Sequence, residues 1–259
     1  MTHRLLVVIL DGASFFFCNT FLWMMQNVKH FFHNFHRNML YIDEPPLTPC
    51  VLNTFFTGKP TREHGVLGFK ELKKPMSFCG IYKGKYIWDI ARESGLKVKV
   101  LNIPVRIPPV YLNVDTKDLH WIDMWLPPKD KFLWHVERFH LVAMENVKAE
   151  WDFFLVWYPV PDQAHHHFFQ AITDELALKT ACWWYDLCFL YARQLIEASK
   201  PHTWIILSDH GFMNDYEEYS ACGVRQHIHQ RDALVVTNTG DLPRSPREVF
   251  IWIRGHLNI

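Results

Sequence analysis

The residues able to do chemistry in this chain are carboxylates and imidazoles gathered at the ends of apolar runs. Asp11 directly follows Leu5–Leu10, Asp209 follows Trp204–Ser208, and Asp162 lies five residues beyond Trp157. Each acid has ligand-type neighbours. Asp162-Gln-Ala-His165-His166-His167 sets three imidazoles beside a carboxylate, Asp209-His210-Gly211 adds another, and His227-Ile-His229 comes shortly before the run Leu234–Thr237. Carboxylate and imidazole donors without thiolates suit Zn²⁺, Mn²⁺ or Fe rather than a cysteine-built structural zinc site, and the inventory is enough for two metal ions. Thr48-Pro49 supplies a hydroxyl. The stretch after it, Cys50–Phe56, reads as a helix with Thr48 as N-cap and Pro49 as first helical residue. A hydroxyl so placed sits among unpaired amides at the positive end of a helix dipole, which suits phosphate. Metal coordination would lower its pKa and make it an alkoxide-like nucleophile.

Taken singly, each piece has an ordinary explanation. Asp11-Gly12 after a strand is commonly a turn, Thr48-Pro49 a simple cap, His165–His167 a solvated loop and His210 a core histidine. Their joint occurrence at strand ends carries the weight. His165 and His167 keep the ordinary reading, with one of them a candidate partner behind a ligand. His64 is read as a structural loop residue and not as a ligand.

The elements that must position these groups are legible as short apolar runs between helical patterns. Leu5–Leu10, Val98–Leu101, Phe153–Trp157, Trp204–Leu207 and Leu234–Thr237 read as buried strands. Tyr86–Ser94, ending at Gly95, and Asp130–Ala149 read as helices. Thr173 offers an N-cap to a long helix through Ser199, with apolar residues at 176, 183, 187, 190 and 195, and Pro201 closes it. Alternating strand and helix argues an α/β layered fold with a largely parallel sheet, whose ligand crevice lies at the carboxyl ends of the strands. Ile103–Val110 and Trp121–Lys129 read as excursions that could cap the site. The aromatic run from Phe15 through Phe35 reads as a helix buried by packing, with an apolar substrate wall or a partner- or lipid-binding surface as the functional alternative.

With 259 residues and 49% hydrophobic content, the chain is expected to form one domain, 1–259, with a sizeable core. That apolar fraction excludes a disordered chain. Lys plus Arg equals Asp plus Glu at 27 each, so bulk electrostatics does not hold nucleic acid or anionic lipid. The six cysteines form no C-x-x-C pair and are assigned to packing, with no bridge expected and a reducing, cytoplasmic setting implied. No apolar run approaches the length of a membrane span, and the six apolar residues before Asp11 are too few for a signal-peptide core.

The order and internal spacing of the motifs carry a resemblance. A strand followed by Asp11-Gly12, then Thr48-x8-Thr57-Gly58-x5-His64-Gly65, then Asp162-x3-His166, then Ser208-Asp209-His210-Gly211 resembles the type I phosphodiesterase and nucleotide pyrophosphatase branch of the alkaline phosphatase superfamily. The resemblance spans residues 5 to about 237. It implies a three-layer α/β/α sandwich, alkaline phosphatase-like, and a metal-dependent phosphoester hydrolase with two divalent ions, Zn²⁺ first and Mn²⁺ as the alternative. By the same resemblance Asp11, Thr48, Asp209 and His210 match the first metal site, with Thr48 as the nucleophile that forms a phosphothreonine intermediate. Asp162, His166 and a late histidine match the second site. His229 is chosen for the late position, because the family's last ligand often lies a few residues before a strand like Ala233–Val236; His227 is the alternative. The implied partner is a small phosphoester substrate, with no stable nucleic-acid complex, no membrane span and the oligomeric state left open.

Two departures qualify the substrate. Where nucleotide pyrophosphatases of the family carry a phosphate-contacting Asn after the His-Gly motif, this chain has Phe69. The sulfatase signature C/S-x-P-x-R is missing at Cys50-Val-Leu-Asn, which argues against a sulfatase. Two alternatives therefore accompany the diesterase reading: a phosphomonoesterase or phosphotransferase on the same metals, and a catalytically degenerate metal- or phosphate-binding member.

Overall fold

The computed structural model describes residues 4–71, 77–117, 119, 129–168, 175–219 and 225–259, with the side chains of 71, 129, 213–219 and 225–228 excepted. In chain order the first elements are β1 (Leu5–Leu10), α1 (Phe15–Thr20), a 3-10 turn (Leu22–Met24), α2 (Gln26–Asn34) and β2 (His36–Tyr41). Then come α3 (Thr48–Thr57), α4 (Thr61–His64), the antiparallel pair β3 (Phe69–Glu71) and β4 (Ser77–Phe78), α5 (Ile87–Glu93), β5 (Val98–Ile103) and β6 (Val110–Leu112). A 3-10 turn (Lys129–Lys131), α6 (Phe132–Lys148), β7 (Phe153–Tyr158), α7 (Asp162–Phe168), α8 (Glu175–Ser199) and β8 (Thr203–Leu207) follow. The antiparallel pair β9 (Gly211–Tyr219) and β10 (Arg225–Gln230), then β11 (Asp232–Thr237) and α9 (Pro246–Leu257), complete the chain.

Seven strands form one sheet in the order β2-β11-β8-β1-β7-β5-β6. Strands β8, β1, β7 and β5 run parallel, whereas β11 and β6 lie antiparallel to their neighbours, so the sheet is mixed around a parallel centre. All six side chains of β1 and of β7 are buried, because both faces of the sheet are covered. Alternate residues go to opposite sides. Leu6, Val8, Leu10, Phe154, Val156 and Ile206 pack with α2, α6 and α8, while Leu5, Val7, Ile9, Phe153, Leu155 and Ile205 pack with α3, α5 and α9. This is the α/β/α sandwich expected, and the five predicted strands are present with at most two residues added at an end.

Several local expectations are corrected. Helix α3 starts at Thr48 rather than after it: Leu47 is extended (φ −124°, ψ 131°), and its carbonyl accepts from the amides of Cys50 and Val51. Leu47 is therefore the cap, and Pro49 still occupies the first turn, where its missing N–H costs nothing. The buried face of α8 is not the predicted one. Ala181, Cys182, Trp184, Tyr185, Cys188, Phe189 and Ala192 are buried, whereas Leu176 and Trp183 are exposed and only Leu195 of the predicted set is fully buried. The face is chosen by α2 and α6 packed against it, which a single-helix pattern does not contain. The aromatic run breaks into α1, a 3-10 turn and α2, with Phe17, Phe31 and Phe32 buried but Phe16 and Trp23 exposed.

Cys18, Cys50, Cys182 and Cys188 are free and buried, as packing residues, but Cys79 is disulfide-bonded. That overturns the expectation of no bridge. No helix among the described residues is long and apolar enough to cross a membrane. Thr173, and the Trp121–Lys129 excursion apart from the backbone of Lys129, lie outside the described residues.

Helix α2 takes its cap from a distant helix. Asp186 of α8 accepts from the backbone amides of Asn27 (2.6 Å) and Val28 (3.2 Å) and from the Asn27 side chain (2.9 Å). Those amides are the ones an N-cap side chain normally satisfies. Asp186→Ala is expected to lower stability by about 1 kcal/mol, read from the urea midpoint; an unchanged midpoint would show that water replaces the carboxylate without loss.

Candidate active site

Because β1 lies between β7 and β8 and all three are parallel, their carboxyl ends open on one edge. Asp11 is the first residue past β1, Ser208-Asp209-His210 follows β8, and Asp162 opens α7 after β7. Main-chain bonds knit these ends together. The Asp11 amide donates to the Tyr158 carbonyl at 3.0 Å and the Asp162 amide to the Asp11 carbonyl at 2.9 Å. The Gly12 amide donates to Asp209 Oδ1 at 3.3 Å. Gly12 has φ +72°, and a Cβ there would lie 2.7 Å from Asp162 Cβ. Only glycine both takes that conformation and lets the acid-bearing turns approach so closely.

Two groups of ligand-type side chains result. In the first, His210 Nε2 lies 3.2 Å from Asp11 Oδ1 and 3.6 Å from Asp209 Oδ2. Thr48, delivered by the start of α3, places Oγ1 at 3.4 Å from Asp11 Oδ1 and 3.3 Å from His210 Nε2. In the second, Asp162 and His166 share one face of α7 at i,i+4, with Nε2 and Oδ2 3.4 Å apart. His229, near the end of β10, puts Nε2 at 3.4 Å from both Asp162 Oδ1 and His166 Nε2. The groups are contiguous, since the His210 and His229 rings stack at 3.8 Å with 3° between their planes.

Hydrogen bonds on the far side of each ring fix its tautomer. His210 Nδ1 faces the Gly211 carbonyl and His229 Nδ1 the Pro46 carbonyl, each at 3.0 Å. A carbonyl only accepts, so both Nδ1 atoms carry hydrogen and Nε2 is the atom turned to the carboxylates. Burial and neighbouring His210 hold His229 well below the ordinary histidine range, so its Nε2 is a bare lone pair. It faces Asp162 Oδ1, another acceptor, which is buried without a hydrogen-bond partner, as is Asp209 Oδ2. Acceptors this close are mutually repulsive unless a cation lies among them.

The electrostatics of the first group agree. Asp11, buried beside Asp209 and Asp162, is held well above the usual carboxylate range. Burial opposes a charged ring at His210, but Asp209, Asp11 and Asp162 outweigh it and raise its pKa to about 10. In the second group burial would raise Asp162, yet His166 beside it brings it below the usual range. Crowded oxygen and nitrogen donors with unmet negative charge fit divalent cations of the Zn²⁺ or Mn²⁺ kind.

The sequence-selected residues Asp11, Thr48, Asp209 and His210 are thus brought together, and so are Asp162, His166 and His229. The side chain of His227 lies outside the described residues. His165 is buried against Phe212 (4.3 Å, 16°), with its pKa pushed down to about 3 by burial, and His167 packs on Phe132 at 5.1 Å. His64 closes α4 rather than a loop; its Nε2 lies 3.2 Å from Thr54 Oγ1, and its Nδ1 accepts from the Val66 amide at 3.0 Å. Phe69 is buried edge-on to Phe78, with ring centroids 5.5 Å apart. Sequence reasoning missed the supports behind the ligands. Ser208 Oγ accepts from the Ala13 amide and donates to the His210 carbonyl, both at 2.7 Å. Tyr185 OH accepts from the Ser14 amide and donates to the Gly12 carbonyl, both at 3.1 Å. Ser208 adjoins a motif and could have been suspected; Tyr185, in mid-helix, carries no local signal.

A family model described as type I phosphodiesterase / nucleotide pyrophosphatase matches residues 5–256. No curated protein matches the sequence. Among solved structures, murine ectonucleotide pyrophosphatase/phosphodiesterase 5, in an inactive form in complex with AMP, superposes with a TM-score of 0.65 at 11% identity, over 100% of this chain and 96% of that one. The human protein of the same name gives a TM-score of 0.61 at 12% identity, over 99% of this chain and 95% of that one. A putative sulfatase from Bacteroides thetaiotaomicron gives 0.67 at 8% identity, over 100% of this chain and 71% of that one. At such identities the likeness is one of fold.

The raised pKa of His210 has a measurable consequence. A folded-state pKa near 10 against about 6.5 unfolded means that the folded metal-free protein holds the extra proton. Its contribution is complete below the unfolded value and is lost as pH rises toward 10. The melting temperature of chelator-treated protein is therefore expected to fall across that window, and the fall to shrink when Zn²⁺ is restored. A flat profile in chelated protein would contradict the carboxylate crowding.

Proposed function

This chain belongs to the type I phosphodiesterase/nucleotide pyrophosphatase family and is a hydrolase of that type, and on that premise we propose that it cleaves phosphodiester or pyrophosphate linkages with Thr48 as nucleophile. The supporting observation is the placement of Thr48 Oγ1, within 3.4 Å of Asp11 Oδ1 and 3.3 Å of His210 Nε2 at the start of α3.

Asp11, Thr48, Asp209 and His210 would hold one divalent ion and Asp162, His166 and His229 a second; such ions, when bound, polarise phosphoryl oxygens and lower the pKa of a bound hydroxyl. The chain's own residues do the remainder. The N-terminal end of α3 meets the phosphoryl group with the positive end of its dipole. Asp11 Oδ1 lies where the Thr48 hydroxyl can give up its proton. Thr48 Oγ1 then forms a bond to phosphorus while the bond to the leaving oxygen breaks, and that oxygen departs as alcohol or phosphate after taking a proton. Water attacks the phosphothreonine so formed, phosphate or its ester leaves, and the Thr48 hydroxyl is regenerated. His229 and His210 keep their Nε2 atoms aimed by the Pro46 and Gly211 carbonyls.

The ring of Phe69 has no hydrogen-bonding group where the family's pyrophosphatases use an Asn, so the phosphoryl group would take that contact from elsewhere. This observation keeps a phosphomonoesterase reading as the second choice. A nucleotide such as AMP, which the murine structure contains, is a reasonable probe of product binding here.

Hydrolysis of bis(p-nitrophenyl) phosphate is expected to exceed that of p-nitrophenyl phosphate, to stop with chelator and to return with Zn²⁺ or Mn²⁺. Preference for the monoester would move the substrate class. Thr48→Ala is expected to lose several orders of magnitude in kcat, as removal of a nucleophile does, while still taking up metal. Turnover retained in that variant would sink the nucleophile assignment.

A further inference from the structure

Behind the first ligand group lies a buried carboxylate that neither group uses. Asp232, the first residue of β11, is 5% exposed, and a carboxylate taken out of water needs a reason. One oxygen, Oδ2, accepts from the Ser14 hydroxyl and from the Phe16 amide at 3.1 Å. Ser14 is the N-cap of α1, holding the Phe17 amide at 3.0 Å, and its backbone bridges to Ala233. The other oxygen, Oδ1, has no hydrogen-bond partner. It lies 2.2 Å from the point where a Cβ on Gly211 would stand, so the residue after His210 is a glycine seated against the carboxylate. Asp232 thus touches both turns that carry the first group: the one that leaves Asp11 and the one that leaves His210. Burial pushes its carboxyl up from the usual range, and His210 is among the groups that pull it back, which places the two within electrostatic reach.

We propose that Asp232 is a positioning residue for the Asp11/Asp209/His210 group, locking its two turns together and adding a negative charge behind them that strengthens cation binding. The inference rests on the ligand reading above. It acts through Ser14 and Gly211, not by contact with substrate. An apolar side chain could fill the space, but only a carboxylate offers the paired acceptor for Ser14 and Phe16 together with the charge. The charge acts differently in the two states. Without metal it faces the ring of His210, which is among the groups that pull its carboxyl back toward the charged form; with metal bound it adds to the negative field on the cation.

The test compares wild type with Asp232→Asn, which keeps the shape and one acceptor but removes the charge. Zn²⁺ affinity is measured by competition with a chromophoric chelator, and melting temperatures are measured with and without metal. The expected result is about a tenfold or greater loss of Zn²⁺ affinity, with the melting temperature lowered more in the metal-loaded protein than in the metal-free one. Equal Zn²⁺ affinity in the two proteins overturns the proposal. A metal-free melting temperature lowered as much as the loaded one makes Asp232 merely structural and overturns it too, as does a variant that does not fold. Wild-type protein that takes up no Zn²⁺ at all overturns the ligand reading first, so the two failures are told apart.

Discussion

The catalytic edge depends on one close approach, that of the Asp11–Gly12 turn to Asp162. The Asp162 amide is bonded to the Asp11 carbonyl, and Gly12 has no side chain to hold the two apart. Through this contact the first ligand group, on β1 and β8, is joined to the second, on α7 and β10. A side chain at residue 12 would push α7 outward and separate Asp162 from His210 and His229. The stacking of His210 on His229 lies across the same junction.

The site is electrostatically unfinished as protein alone. Carboxylate oxygens of Asp162 and Asp209 are buried without hydrogen-bond partners, while the carboxylates hold His210 above the ordinary histidine range and burial holds His229 well below it. Folding brings these groups together because the sheet they hang from is stabilised elsewhere, by two apolar layers that enclose β1 and β7 completely. The core supplies stability, and the strand ends use some of it to hold like charges near one another. Such tension is the common mark of a functional site rather than of a packing defect.

Rigid support comes from residues without chemistry of their own. Ser208 and Tyr185 satisfy the main chain of the two turns, and the Pro46 and Gly211 carbonyls orient the imidazoles. This shell explains how a hydroxyl on a helix, acids on strand ends and a histidine on a hairpin can be held at fixed distances. The elements come from widely separated parts of the chain, and each is anchored to β1 or its neighbours.

The sequence by itself determined the strands, the layered class and the ligand types. A continuous apolar run closed by an acid is readable wherever a strand is buried on both faces, and the motif spacing paired Asp162 with His166, although the helix that carries both was supplied by the structure. Local spacing also located Thr48, although it misplaced the helix start by one residue, since Leu47's part in capping depends on backbone angles and not on residue type. Tertiary structure decided what spacing could not carry. The buried face of α8, the cap that Asp186 gives α2, the bonded state of Cys79 and the clamp made by Tyr185 all depend on which distant segment packs nearby. So does the meeting of His229 with Asp162 and His166. Periodicity records each element's own preference for burial, whereas contacts between elements are chosen by the whole fold, and that is where the two kinds of knowledge divide.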